Sequence, residues 1–137
     1  LTEINRLYAD LTLKMVTDYA RENVFGELEI EQDADLMDSL HPPVSMKLAA
    51  GAAATQVIFP LGYTVCRFLA VYKVSTATGV NVRLGGAVND PILVKPPDGV
   101  SKEGFIILMT DVASVYVDNP SSDDDVTFKI MLGFDES

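Results

Sequence analysis

The sequence predicts a mainly β protein: an antiparallel β-sandwich, jelly-roll-like or Ig-like, preceded by an N-terminal amphipathic α-helix. Three observations carry this. From Glu27 onward, apolar and polar residues alternate in a series of short runs separated by turn residues. About eight strands with turns roughly every 8–12 positions are the rhythm of a sandwich or barrel. The stretch from Phe105 to Gly133 sets strand-like runs on either side of one acidic, proline-containing turn, which predicts an antiparallel hairpin with one buried face. The opening residues follow a different period, that of a helix.

The helix is expected from about Glu3 to Glu22. Thr2 is placed to cap it, and Glu3 falls in the first turn, where the helix dipole favours negative charge. Ile4, Leu7, Tyr8, Leu11, Met15 and Tyr19 recur in steps of three and four, one apolar stripe at helical spacing. Leu13, Val16 and Ala20 widen it. Asn23 and Gly26 supply the end. The segment Glu27-Leu-Glu-Ile-Glu31 then alternates strictly, as an edge strand with carboxylates facing water would. A polar loop runs from Gln32 to Pro43, closed by Pro42-Pro43. Val44, Met46 and Leu48 mark the next strand, and the alanine-rich stretch 49–54 reads as irregular or extended.

Gln56–Phe59 and Tyr63–Val74 are the next two strands. The second is long, apolar on both faces and therefore central. Ser75–Gly79 is a turn, and Val80–Leu84 is expected as the hairpin partner of the preceding strand. Gly85-Gly86 ends it, Ile92–Val94 is a short strand, and Lys95–Ser101 is a loop before the terminal hairpin. The whole is expected to be a single domain over 1–137, with a helical arm over 1–26 and a sandwich over 27–137.

Composition narrows the function. With 137 residues and a hydrophobic fraction of 48%, the chain can build a core without a disulfide or metal staple. The net charge is −10, so no nucleic-acid partner is expected, because phosphate binding needs a basic patch. The charge is uneven: seven acids and no basic residue from Glu22 to Asp38, seven acids against Lys129 from Asp111 to Ser137, and a positive balance between. An acidic surface of this kind favours solubility and a basic partner, and the polarity would let copies dock acidic end to basic middle. The longest uncharged run, Leu48 to Cys66, is built on alanines and broken by Gly51, Pro60 and Gly62. It is too weak for a membrane helix, and a soluble chain is expected. No Lys/Arg-led apolar segment opens the chain, so no signal peptide is expected. Leu1 is not a residue that methionine removal normally exposes, which leaves a processed precursor or a numbering that begins where order begins.

Residues for catalysis or metal binding are sparse. His41 is the one histidine, beside Pro42-Pro43, and reads as an exposed loop residue. Cys66, the one cysteine, lies in phase with Phe68 and Tyr72 and reads as an inert core thiol. No zinc cluster and no phosphate-cradling loop is present. Asp118, Asn119, Asp123, Asp124 and Asp125 gather oxygen ligands in one turn. The spacing fails the EF-hand pattern, and a solvated tip, with Asn119 and Ser121 bonding the local backbone, is expected. No enzyme, metal or cofactor is expected. The helical stripe Ile4, Leu7, Leu11 and Met15 either packs on the domain's own sheet or docks on a neighbouring subunit.

The run Gly104-Phe-Ile-Ile-Leu108, then Thr110-Asp-Val-Ala-Ser-Val-Tyr-Val-Asp-Asn-Pro120, a polar turn, and Val126-Thr-Phe-Lys-Ile-Met-Leu-Gly133 resembles the β-sandwich modules of tailed-bacteriophage virion proteins. There a strand-turn ending in Asn-Pro precedes the final strand. The resemblance covers Pro91 to Phe134. It implies a non-catalytic structural protein, a capsid decoration (cement) or head-tail connector component, present as a symmetric multimer in a virion assembled in the host cytoplasm. The implied partners are other copies of the chain and capsid, portal or tail proteins. Ile4, Leu7, Leu11 and Met15 would be the docking stripe and the acidic turn an exposed tip. The alternative is a receptor- or carbohydrate-binding sandwich on a tail or surface, which the absence of tryptophan makes the weaker expectation.

Overall fold

The computed structural model describes residues 7–16, 22–32, 39–96 and 103–135. They divide into two compact units, Leu1–Met37 and Asp38–Ser137. The chain order is β1 (Leu7–Val16), β2 (Glu22–Gln32), β3 (Ser39–Leu40), β4 (Val44–Leu48), β5 (Thr55–Gln56), β6 (Val65–Val74), β7 (Val80–Leu84), β8 (Ile92–Val94), β9 (Gly104–Val112), β10 (Val115–Asp118) and β11 (Val126–Asp135). Among the described residues the protein is mainly β, and every strand pairing is antiparallel.

The first unit corrects the expected helix. Leu7–Val16 is a strand, paired with β2 from Leu7 opposite Gln32 to Val16 opposite Glu22, with a register shift at Leu13/Lys14. The reason lies in the spacing of the apolar residues. Leu7, Leu11 and Met15 stand four apart, a step that fits a helix face and a strand face equally well. Ala9 and Leu13 fill the positions between them, completing a period of two. The register sets Ala9 opposite Ile30 and Leu11 opposite Leu28, so the partner strand alternates in phase. The proposed cap Thr2 and the stripe residues Ile4 and Tyr19 lie outside the described residues. The alternating segment 27–31 is part of the longer β2 and belongs to this first unit.

The second unit contains two antiparallel sheets. One has the order β5-β10-β7-β8; the other has β3-β11-β6-β9, with β4 also on β11. β3 and β4 run in succession along the same side of β11, interrupted at His41-Pro42-Pro43. The His41 amide still reaches the Leu132 carbonyl at 2.9 Å, while the two prolines have no N–H to offer. β6 is central, between β11 and β9, in keeping with its apolar run.

Two expected hairpins are not hairpins. β6 and β7 flank the turn 75–79 but lie in different sheets, and so do β10 and β11 on either side of 119–125. The chain changes sheet at all but two of the connections between β3 and β11. The physical reason is burial. A hairpin would set Val115 and Val117 beside Val126 and Phe128 on one sheet face, leaving that face to find other cover. Crossing puts these residues on two sheets that share one core. Leu69, Val71, Val74, Val126, Phe128, Ile130 and Leu132 come from the five-stranded sheet, and Val80, Val82, Val94, Val115 and Val117 from the four-stranded one. Most are β-branched, which suits a pleated, buried surface.

Candidate functional site

The acidic turn is built differently from the expected solvated tip. Asp123, Asp124 and Asp125 are exposed, but Asn119 is 4% exposed and Ser121 is also buried. The Asn119 side-chain Nδ2 donates to the carbonyls of Leu48 (3.3 Å), Ala49 (3.1 Å) and Asp124 (2.8 Å), and its Oδ1 accepts from the Ser121 amide at 3.0 Å. Ser121 Oγ in turn accepts from the amides of Asp123 and Asp124. Backbone bonds from Gly51 to Ser121 and from Asn119 to Ala52 close the same seam. Asn119 is therefore a clasp holding the sheet crossing 119–125 onto residues 48–52. Burial favours asparagine there because its amide offers both donors and an acceptor, and its bonds to the Leu48 carbonyl and the Ser121 amide are buried.

Asp118 is likewise not a tip residue. Its side chain is 13% exposed and accepts from Arg83 Nε at 2.8 Å and Asn81 Nδ2 at 2.9 Å. Arg83 also donates to the Asn89 carbonyl. The group ties β10 to β7 and to the loop after it. Of the other sequence-named residues, Ile4 lies outside the described residues, and Leu7, Leu11 and Met15 lie on β1. Among the described residues no three His, Cys, Asp or Glu side chains converge on a point.

Cys66 is fully buried, and its thiol donates to the Phe68 carbonyl at 3.3 Å. Burial pushes its pKa up to about 11 against the weaker opposing pull of that hydrogen bond, the behaviour of a structural thiol. His41 is half-buried, not an exposed loop residue. Its ring meets Tyr63 and Phe134 edge-on, at 5.3 Å each, and Phe59 packs on Phe134 at 4.8 Å. Beside this aromatic group opens a groove of about 530 Å³. Its walls are His41, Pro42, Pro43 and Val44 on one side, Val57, Ile58 and Pro60 on another, and Ile130, Leu132 and Phe134 at the base. The groove exists because Pro42-Pro43 interrupts the strand over β11. Its chemistry is that of an apolar slot with His41 and Gln56 as polar groups at its margin.

The second surface is the outer face of the five-stranded sheet. Antiparallel partners share a face, so the register assigns its rows directly. Ser45, Lys129 and Tyr72 form one row; Met131, Ala70 and Ile107 form the next; Gly133, Phe68 and Met109 form the third. Along the edge strand β9, Phe105, Ile107 and Met109 are 61%, 49% and 44% exposed, while Ile106, Leu108 and Val112 pack against the core. Across the face, level with the Phe105 end of β9, Lys47, Lys73 and Lys129 line one shallow cleft with Ser45 and Thr127. Lys73 sits at φ +53°, within a register shift against β9. Lys47 pairs with Asp125 at 3.5 Å, both largely exposed.

Neither surface was singled out from the sequence. The stripe 105–109 had a signal: it is apolar at every position, more than a one-sided edge strand requires. The groove and the lysine cleft had none, since each joins residues far apart in the chain. Comparison of the chain with protein-family models, with curated proteins and with solved structures finds no match.

Proposed function

We propose that the protein is a non-catalytic structural component of a tailed-phage virion, a capsid decoration or head-tail connector protein that stabilises the particle through subunit contacts. Within this reading Asp38–Ser137 is a sandwich of jelly-roll-like or Ig-like type, its partners are other copies and capsid, portal or tail proteins, and it resides in the virion. One observation carries the assembly role: the apolar stripe Phe105, Ile107 and Met109, turned outward on a nine-residue edge strand. Large apolar side chains in a row on an edge are a surface that calls for cover. The strand-turn Thr110–Pro120 supports the virion assignment through its resemblance to phage modules. The test is to dissociate purified particles and locate the chain by mass spectrometry, and to image intact particles for its density. A chain absent from particles of every phage whose genome encodes it would sink the assignment.

The groove beside His41 favours a second reading, a receptor- or ligand-binding sandwich on a tail or surface. Saturable binding of a glycan or apolar peptide, lost on Ile58→Asp, would promote it.

A further inference from the structure

We propose that the outer face of the five-stranded sheet is the contact between two copies of this chain. The proposal names the partner for the assembly role given above and rests on that reading only for the idea that the protein assembles.

The two edges of this sheet are treated differently. The β3–β4 edge is broken by Pro42-Pro43, a common device for blunting an edge. The β9 edge carries no proline, and its register against β6 is unbroken from Ile106 to Met109. Its outward residues are Phe105, Ile107 and Met109. Rows of register join this stripe, through the buried Ala70, to the half-buried Met131 on β11, so the exposed apolar surface is centred on the edge.

Charge identifies the occupant. The chain carries −10 overall, yet this face gathers Lys47, Lys73 and Lys129 around one cleft. The exposed acids Asp123 and Asp124 stand on the turn that leads into β11, next to Asp125, which already reaches Lys47. Positive and negative groups thus lie side by side at one end of the apolar rows. A patch of this composition is complementary to itself. Under a two-fold axis the acids of one copy face the lysines of the other, and the reverse contact is made by symmetry. A nucleic acid or acidic partner would meet Asp123 and Asp124 unpaired, and a purely basic partner would meet the lysines. The lysines also locally offset the long-range repulsion between two chains of like net charge.

The test uses the full chain in sedimentation equilibrium. The wild type is expected as a dimer, and Ile107→Asp is expected to weaken association at least tenfold. Ile107 is half-exposed, and circular dichroism and the melting temperature check that the variant folds. Charge exchange supplies the second arm. Lys47→Glu/Lys129→Glu and Asp123→Lys/Asp124→Lys are each expected to dissociate, and an equimolar mixture of the two is expected to re-associate. Asp125 is left alone because its Oδ1 accepts from the Ala50 amide. A wild type that sediments as a monomer at about 100 μM overturns the proposal. So does an oligomer indifferent to Ile107→Asp, or a charge-exchanged pair that stays apart. A chain found on particles but monomeric in solution overturns this proposal and leaves the virion reading standing. A dimer broken by these substitutions but absent from particles supports it and removes the virion reading.

Discussion

Asn119 is where a single substitution should do the most damage. Its amide donates to three carbonyls and accepts from one amide, and the residue is 4% exposed. Asn119→Ala removes all four contacts. Two hydrogens shared among three acceptors make one of those bonds weak, so about three net bonds are lost, at about 1 kcal/mol each. The Leu48 carbonyl then stays buried without this donor, which adds a penalty of similar size. A loss of about 3–4 kcal/mol follows, or roughly a 10 °C fall in melting temperature for a chain of this size. Urea unfolding followed by tyrosine fluorescence measures it, with coincidence between probes checked because the chain has two units.

Asn119→Asp sharpens the test. It keeps the shape but aims a carboxylate at the carbonyls of Leu48, Ala49 and Asp124. Burial and these dipoles raise its folded pKa above the unfolded value. The sign follows from linkage: the folded state holds the proton more tightly, so the variant is least handicapped below the unfolded pKa and loses stability as pH rises through the folded one. At neutral pH it should be at least as unstable as Asn119→Ala, and it should recover part of the deficit near pH 4. If Asn119→Ala costs under about 1 kcal/mol, or Asn119→Asp shows no recovery in acid, the clasp is not what holds the crossing and the reasoning fails.

Gly104→Ala should cost about 3 kcal/mol by denaturant unfolding, because its Cβ would collide with the backbone carbonyl of Lys95, which cannot rotate away. Lys73→Gly should stabilise by about 0.5–1 kcal/mol: it relieves the left-handed conformation at φ +53° and returns part of that gain as unfolded-chain entropy, read as a small rise in melting temperature. Cys66 should make stability fall by about 2–3 kcal/mol between pH 9 and 11, since its pKa rises from 9.0 unfolded to about 11 folded and the unfolded thiol loses its proton first. That slope should vanish in Cys66→Ala.

Much of the second unit was legible because its strands obey local rules. β4 and β7 alternate within a few residues, β8 is a short apolar run between turn residues, and the long apolar run of β6 identifies a strand flanked on both sides. The failures share one cause. Periodicity reports which residues lie on one face, and turn residues report that the chain bends, but neither says which sheet receives the next strand. The turn at 75–79 and the turn at 119–125 both bend the chain convincingly, and both deliver it to the opposite sheet. In the first unit the ambiguity is arithmetic: Leu7, Leu11 and Met15 satisfy two periods, and only the interleaved Ala9 and Leu13 separate them.

The same distinction explains the acidic turn. Read locally, Asp118-Asn119-Pro120 and the three aspartates form one polar tip. The fold sorts them by what the sheet crossing requires. Where the strand leaves its sheet, Asp118 is held by Arg83 and Asn81; where the chain passes over residues 48–52, Asn119 satisfies backbone carbonyls that burial would orphan. Only past this point are the side chains released to solvent, as Asp123 and Asp124. A polar cluster in sequence thus resolves into two structural residues, the half-buried Asp118 and the buried Asn119, and three exposed aspartates, of which Asp125 is tied to Lys47 and the Ala50 amide. Substitutions at the first pair should therefore act on stability, whereas those at Asp123 and Asp124 should leave stability nearly unchanged and act on association alone.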